Sequence, residues 1–205
     1  MKDKVQKTKA EKTRSFIIET SAPLFNKNGY RGTSLSQLTE ATGLTKGAIY
    51  GNFKNKDEIA VEALKYNHSV ISDAIAKVVI PIDNMCDKLI AFAKFYDDHY
   101  FFISGTGGCP ILNSAVDFDD GDKKLKTVVK GLIDEWRGAV KGIVKKGIRK
   151  GEIKKDVDYE SFATTFVALI EGGIMMSKIT DDSLNLSYTV EQIIDIVENK
   201  LREID

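Results

Sequence analysis

At 205 residues, with 30 Lys or Arg balanced by 30 Asp or Glu, the chain has room for a small module and a sizeable core, in one or two domains. Two cysteines are too few for a disulfide framework, and no run approaches the roughly 20 apolar residues of a membrane span. The first apolar cluster, Phe16-Ile17-Ile18, is too short for a secretory signal and is followed by Glu19, so a soluble cytoplasmic protein with no membrane partner is expected.

The neutral total conceals an internal polarity. Residues 1–56 hold nine Lys and two Arg against Asp3, Glu11, Glu19 and Glu40, a net of +7 that leaves −7 on residues 57–205. A basic head on an acidic body is an electrostatic footprint for nucleic acid. A solvated lysine-rich terminus accounts for Lys2 to Lys12 but not for the pattern that follows.

A first helix is expected from near Lys7 to Asn28, with Ile18, Ala22 and Phe25 on its inner face and Gly29 as its C-cap. Pro23 lies inside it and is expected to kink it. Residues 33–56 read TSLSQLTEATGLTKGAIYGNFKNK. Thr33 or Ser34 caps a short helix carrying Leu35 and Leu38, Gly43 ends it, and Thr45 caps a second with Ile49 and Phe53 four apart. Two short helices joined by a glycine turn, each with one apolar side, form a helix-turn-helix. The second exposes Lys46, Gly47, Ala48, Tyr50 and Asn52, with Lys56 beyond. Small residues let the backbone approach base edges while Lys, Tyr and Asn hold phosphates. Together with the hydroxyls Thr33, Ser34 and Ser36, these are the candidate DNA-binding residues; each lysine has the plainer alternative of simple solvation.

Residues 14–64 resemble the N-terminal domain of the TetR/AcrR family of bacterial one-component transcriptional regulators. The similarity runs through Arg14, Ile17-Ile18, Leu24-Phe25, Asn28-Gly29-Tyr30, Thr33-Ser34-Leu35, Gly43 to Tyr50, Asn52-Phe53 and Asn55-Lys56-Asp57. It implies an all-α homodimer, with a three-helix DNA reader (1–55) and a larger helical ligand-binding and dimerisation domain (56–205) in each subunit. Its partners would be a palindromic double-stranded operator and a small-molecule effector. Thr39 departs from the alanine usual in the family, and its hydroxyl needs a partner, expected to be a carbonyl one turn back.

In the body, a helix from Asn55 or Asp57 reaches toward Val79, and Pro81 ends that unit. A fifth helix carries Leu89, Phe92, Phe95, Tyr96 and Tyr100; residues 104–110, SGTGGCP, form a glycine-rich break. A long amphipathic helix over 122–150 is followed by helices at about Asp158–Ile179 and Thr189–Glu203. Their stripes, Phe162, Phe166, Leu169, Gly173 and Met176 on one and Val190, Ile193, Ile194, Val197 and Leu201 on the other, read either as core or, with the family resemblance, as a four-helix dimer interface.

Aromatic residues in the body are mostly core, with a subset facing a pocket. The candidate ligand contacts are Phe92, Tyr96, His99, Cys109, Asn113, Trp136 and Phe166. Cys109, before Pro110 at a helix start, is expected either to be a stabilised, accessible thiolate that senses oxidants or a small apolar filler. His68 and His99 stand isolated, and the acidic residues Asp117, Asp119, Asp120 and Asp122 fit a solvated loop better than a metal site. With no phosphate loop or nucleophile elbow, no enzyme, metal or cofactor is expected.

Overall fold

The computed structural model describes residues 8–118 and 123–203. Lys2, Lys4 and Lys7 of the basic head, and Asp119, Asp120 and Asp122, lie outside the described residues. Helix α1 (Lys9–Gly32) opens on Thr8, whose hydroxyl accepts from the Glu11 amide while Glu11 accepts from the Thr8 amide. These reciprocal bonds satisfy two amides that the first turn leaves unpaired. The interruption of α1 falls at Gly29 (φ 72°, ψ 173°), not at Pro23, where helical dihedrals continue.

Helices α2 (Leu35–Thr42) and α3 (Lys46–Tyr50) follow, then α4 (Lys56–Val79). Ile17, Ala22, Phe25, Leu38, Ile49, Ile59, Ala60 and Ala63 of these four helices, with Phe53 between α3 and α4, form one buried cluster. From Leu64 onward α4 turns its apolar side into a second, larger cluster. The helix is thus shared by both cores.

The body comprises α5 (Met85–Asp98), α6 (Tyr100–Gly105), α7 (Pro110–Phe118), α8 (Lys123–Lys150), α9 (Tyr159–Thr180) and α10 (Leu184–Ile196), closed by a π-helical turn over Val197–Leu201. Among the described residues the one β feature is an isolated bridge between Ile153 and Arg202. The expected fifth helix stops short of Tyr100 because His99 leaves helical geometry (φ −111°, ψ 16°). The last helix starts five residues earlier than its sequence stripe suggests, because Leu186, fully buried, extends that stripe backward. By length and composition α9 is apolar enough to cross a bilayer, contrary to the sequence expectation. Its apolarity has a local cause: α9 packs against both α8 and α10 and buries Phe162, Phe166, Ile170 and Ile174 between them.

Candidate nucleic-acid interface and effector cavity

The exposed face of the helix-turn-helix is held by short-range bonds. Ser34 and Gln37 form a reciprocal cap on α2, Gly43 ends it in the left-handed region (φ 67°), and the Thr45 hydroxyl accepts from the Ala48 amide to start α3. The Thr39 hydroxyl donates to the Ser36 carbonyl at 2.8 Å. Leu38 and Ile49 are fully buried. That leaves Lys46, Gly47, Ala48 and Tyr50 on the open side of α3 and Ser34 and Ser36 on the open side of α2. Asn52 is half-buried and donates from its amide to the Ala48 carbonyl. Lys56 lies with its ammonium 4.3 Å from the centre of the Tyr30 ring, a contact that orients the charge without removing it from solvent.

Thr33 does not belong with this surface. It is fully buried, and its hydroxyl donates to the Gly29 carbonyl at 2.8 Å. It braces the kink in α1 and faces away from solvent. Arg14, on the other hand, organises the face from behind. Its guanidinium donates to the Asn52 carbonyl (2.6 Å) and to Glu58 (2.9 Å) and lies 4.1 Å from the Phe53 ring centre. The Lys54 amide and Arg14 together hold the Glu58 carboxyl below its usual range.

The body contains a cavity of about 660 Å³ between α4 and α8, floored by α5 and closed by the turn before α7. Of the expected contacts, Phe92, Tyr96, Cys109 and Trp136 line it. His99, Asn113 and Phe166 do not. His99 stacks on Phe95 at 4.2 Å and its Nδ1 lies 2.9 Å from the Phe95 carbonyl. Phe166 is fully buried behind the wall, edge-on to Phe92. Asn113 is spent on the main chain, donating to the carbonyls of Asn26 and Gly107. The sequence reading missed His68, Ser69, Ser72 and Glu135, which supply polar wall.

Cys109 does precede α7, and of its two expected readings the thiolate is the one overturned. Its Sγ donates to Glu171 Oε1 at 3.0 Å and the residue is buried. Burial first, and then the neighbouring carboxyl, push its pKa well above the ordinary thiol value, outweighing the amides of Ile111 and Leu112. A protonated, enclosed thiol is a poor nucleophile. Glu171 itself is pushed up to about 7 by burial, and its Oε2 is enclosed without a hydrogen-bond partner. Cys86 is buried too, its thiol pushed up to about 11 by burial.

The stripe assigned to subunit contact also changes meaning. Phe162, Phe166, Gly173, Val190, Val197 and Leu201 are buried within the chain, and Leu169 and Ile194 are half-buried. A Cβ on Gly173 would overlap Thr189 Oγ1, so this glycine lets α9 and α10 of the same chain touch. Met176 alone of the set lies open, at 40 % exposure. Beside it Met175, Ile179, Leu184 and Tyr188 give α9 and α10 an exposed apolar face that the stripe did not mark.

A polar latch joins the two cores. The Asn26 side-chain amide donates to the carbonyls of Thr106 and Gly108, and Asn113 returns a bond to Asn26 Oδ1. Gly107 (φ 113°) is needed there, since a Cβ would sit 2.9 Å from the Asn26 carbonyl oxygen. Asp117 accepts from the Tyr30 amide at 2.7 Å, just beyond the Gly29 kink. Cys109, Pro110 and Ile111 of the same turn line the cavity. One turn therefore touches α1 on one side and the cavity on the other.

Comparison with known proteins agrees over nearly the whole length. Residues 17–63 match the family described as bacterial regulatory proteins, tetR family, and residues 82–193 match the tetracyclin repressor-like C-terminal domain. The chain is 34 % identical to a TetR-family transcriptional regulator from Cytophaga hutchinsonii, covering 98 % of this chain and all of that one with a TM-score of 0.92. A TetR transcriptional regulator from Chloroflexus aurantiacus is 32 % identical over 96 % of this chain and 99 % of its own, with a TM-score of 0.90. The HTH-type transcriptional regulator TtgR of Pseudomonas putida is 26 % identical, covering 96 % of this chain and 94 % of that one.

Proposed function

Because the chain belongs to the TetR family of bacterial transcriptional regulators, we propose that it is a ligand-responsive repressor. In this reading it acts in the cytoplasm as a homodimer on a palindromic operator, and a small molecule in the body releases it. Residues 1–55 act as the reader, and the remainder binds the effector and pairs the subunits. The family is one of regulators rather than enzymes. The exposed α3 face, with Lys46, Gly47, Ala48 and Tyr50, supports insertion into the major groove. The apolar face of Met176, Ile179 and Tyr188 supports pairing through α9 and α10.

The observation that carries the effector half is the cavity, walled by α4, which leads out of the reader, and by the turn latched to α1. A ligand that fits better in one arrangement of α4 and α7 shifts the population of reader spacings by its differential affinity. A filled core would support a body that serves only as a partner-binding or architectural platform; the cavity supports the effector reading.

Selection from random DNA followed by a ligand-release screen tests the reading. An inverted repeat with half-site centres about one helical turn or somewhat more apart is expected. In Ala139→Trp, which fills the cavity, operator binding persists and release is lost. Selection of a single unrepeated site, or undiminished release in the filled variant, overturns it.

A further inference from the structure

We infer that the cavity selects an uncharged, largely aromatic molecule with a hydroxyl-type head group, its head held at the end nearer the reader by His68, Ser69 and Ser72. This rests on the effector-site reading above. Positions 65, 68, 69, 72, 76 and 79 recur at three and four along α4, so one face of that helix lines the cavity throughout. Its polar lining residues, Lys65, His68, Ser69 and Ser72, all fall in the first part, interrupted there by Ile71, and from Ile75 to Ile80 the lining residues are apolar. A ligand lying along it therefore has a polar end and an apolar end, and the polar end points toward the start of α4. The facing wall is made of flat rings: Phe92 and Tyr96 lie near parallel (14°, centroids 6.3 Å), and Tyr96 stacks on Trp136 (29°, 5.4 Å). Such surfaces favour an aromatic body.

The head group follows from counting protons. Ser69 already donates its hydroxyl hydrogen to the Tyr66 carbonyl at 2.8 Å, and Ser72 donates to the Ser69 carbonyl at 3.1 Å. Both oxygens are left with lone pairs, so they accept. The His68 side chain is 19 % exposed, and its Nε2 lies 3.8 Å from Glu135, too far for a hydrogen bond. Burial lowers its pKa, against the opposing pull of Glu135, so near neutral pH the ring offers one donor and one acceptor nitrogen. A group that both donates and accepts satisfies this set.

A permanent charge does not. The charged lining residues are rim groups with other engagements: Lys65 pairs with Glu62, Lys88 donates to the Ile80 carbonyl, and the Glu135 side chain is 70 % exposed. A carboxylate drawn inside would meet serine lone pairs, and an ammonium would meet no buried carboxylate in the lining. Neither finds an opposite charge inside to offset the hydration it gives up on entering.

Trp136 is the one tryptophan of the chain and stands in the wall, so its fluorescence reports occupancy. The full-length protein is titrated at pH 7.5 with 4-phenylphenol, biphenyl, biphenyl-4-carboxylate and 4-(aminomethyl)biphenyl. The phenol is expected to bind about tenfold more tightly than each of the other three, the gain of one or two hydrogen bonds to His68, Ser69 and Ser72. In His68→Ala the ratio of phenol to biphenyl affinity falls to about one, and His68→Gln, which keeps a neutral donor and acceptor, restores most of it. Should the alanine variant not fold, the wild-type series still decides between head groups. Equal or tighter binding of the carboxylate or the amine overturns the assignment. Equal binding of all four leaves the cavity as an effector site but removes the head-group selection, whereas no binding of any of them removes both.

Discussion

The reader and the body solve opposite problems. In the reader, helix ends are closed by bonds between near neighbours, Thr8 with Glu11, Ser34 with Gln37 and Thr45 with Ala48, over a small buried apolar core in which Ser21 Oγ is also enclosed without a partner. The body has the larger core, yet it keeps a cavity of about 660 Å³ and leaves Trp136 Nε1 and Glu171 Oε2 enclosed without partners. Buried polar atoms without partners are costly, and cavities cost packing. In the proposed reading, the reader presents its surface to DNA and the cavity leaves the body an arrangement that a ligand can complete.

The largest effect is expected where core and surface were most easily confused. Phe166 is fully buried against Phe92 and Phe162, so Phe166→Ala should lower stability by about 4 kcal/mol in denaturant titration. Tyr188, 58 % exposed on α10, behaves oppositely. Tyr188→Asp should leave each subunit folded while lowering the mass measured in solution from dimer toward monomer. A stable, monomeric Phe166→Ala would return that stripe to the subunit interface.

Next comes the Glu171 carboxyl, whose Oε2 has no partner. Folded Glu171 holds its proton up to about pH 7, whereas its ordinary value is 4.5. Between those values the folded state binds more protons than the unfolded, so stability falls as pH rises through the window. Glu171→Gln removes that loss and should stabilise the protein by on the order of 2–3 kcal/mol at pH 8, with little difference near pH 4. Parallel melting curves at both pH values check it, and a pH-independent difference would mean that packing rather than ionisation is at stake.

The latch between the regions should matter by a smaller amount. Asn26→Ala removes the bonds from Asn26 to Thr106 and Gly108 and should cost about 1–2 kcal/mol. Its sharper signature is functional: ligand quenching of Trp136 persists while ligand-driven release of DNA weakens. Retained release would place the coupling in α4 alone.

The smallest effects belong to the DNA face. Tyr50→Ala and Lys56→Ala should weaken binding to all sequences, and Lys56→Ala should reduce the salt dependence of affinity by roughly one unit of slope if one phosphate contact is lost. Lys46→Ala should also relax base preference. Unchanged operator affinity in all three would detach α3 from DNA recognition.

The amount legible in the sequence differs between the two regions for a physical reason. The helix-turn-helix could be read because its caps, its glycine turn and the Ile49–Phe53 pair act over separations of three or four residues. His68 was left out of the ligand contacts because it is isolated in sequence; the polar run Lys65, His68, Ser69 and Ser72 at helical spacing was the available signal. Glu171 gave no such signal, since its partner Cys109 lies 62 residues away. Thr33 illustrates the limit inside the reader: its type suited a cap or a phosphate contact, and only the kink at Gly29 turned the hydroxyl inward.

By itself, then, the sequence determined the helices, the reader and its open face, because hydrophobic period and capping chemistry are local. It also determined that α9 and α10 each bury an apolar stripe. Which chain buries that stripe was decided by tertiary structure, since periodicity names a buried side but not its partner. The state of the Cys109 thiol was decided there as well. Its local position favours a thiolate, but burial beside the Glu171 carboxyl disfavours charge more strongly than two amides favour it. The hollow between α4 and α8 is likewise a property of how helices meet, and no single helix carries it.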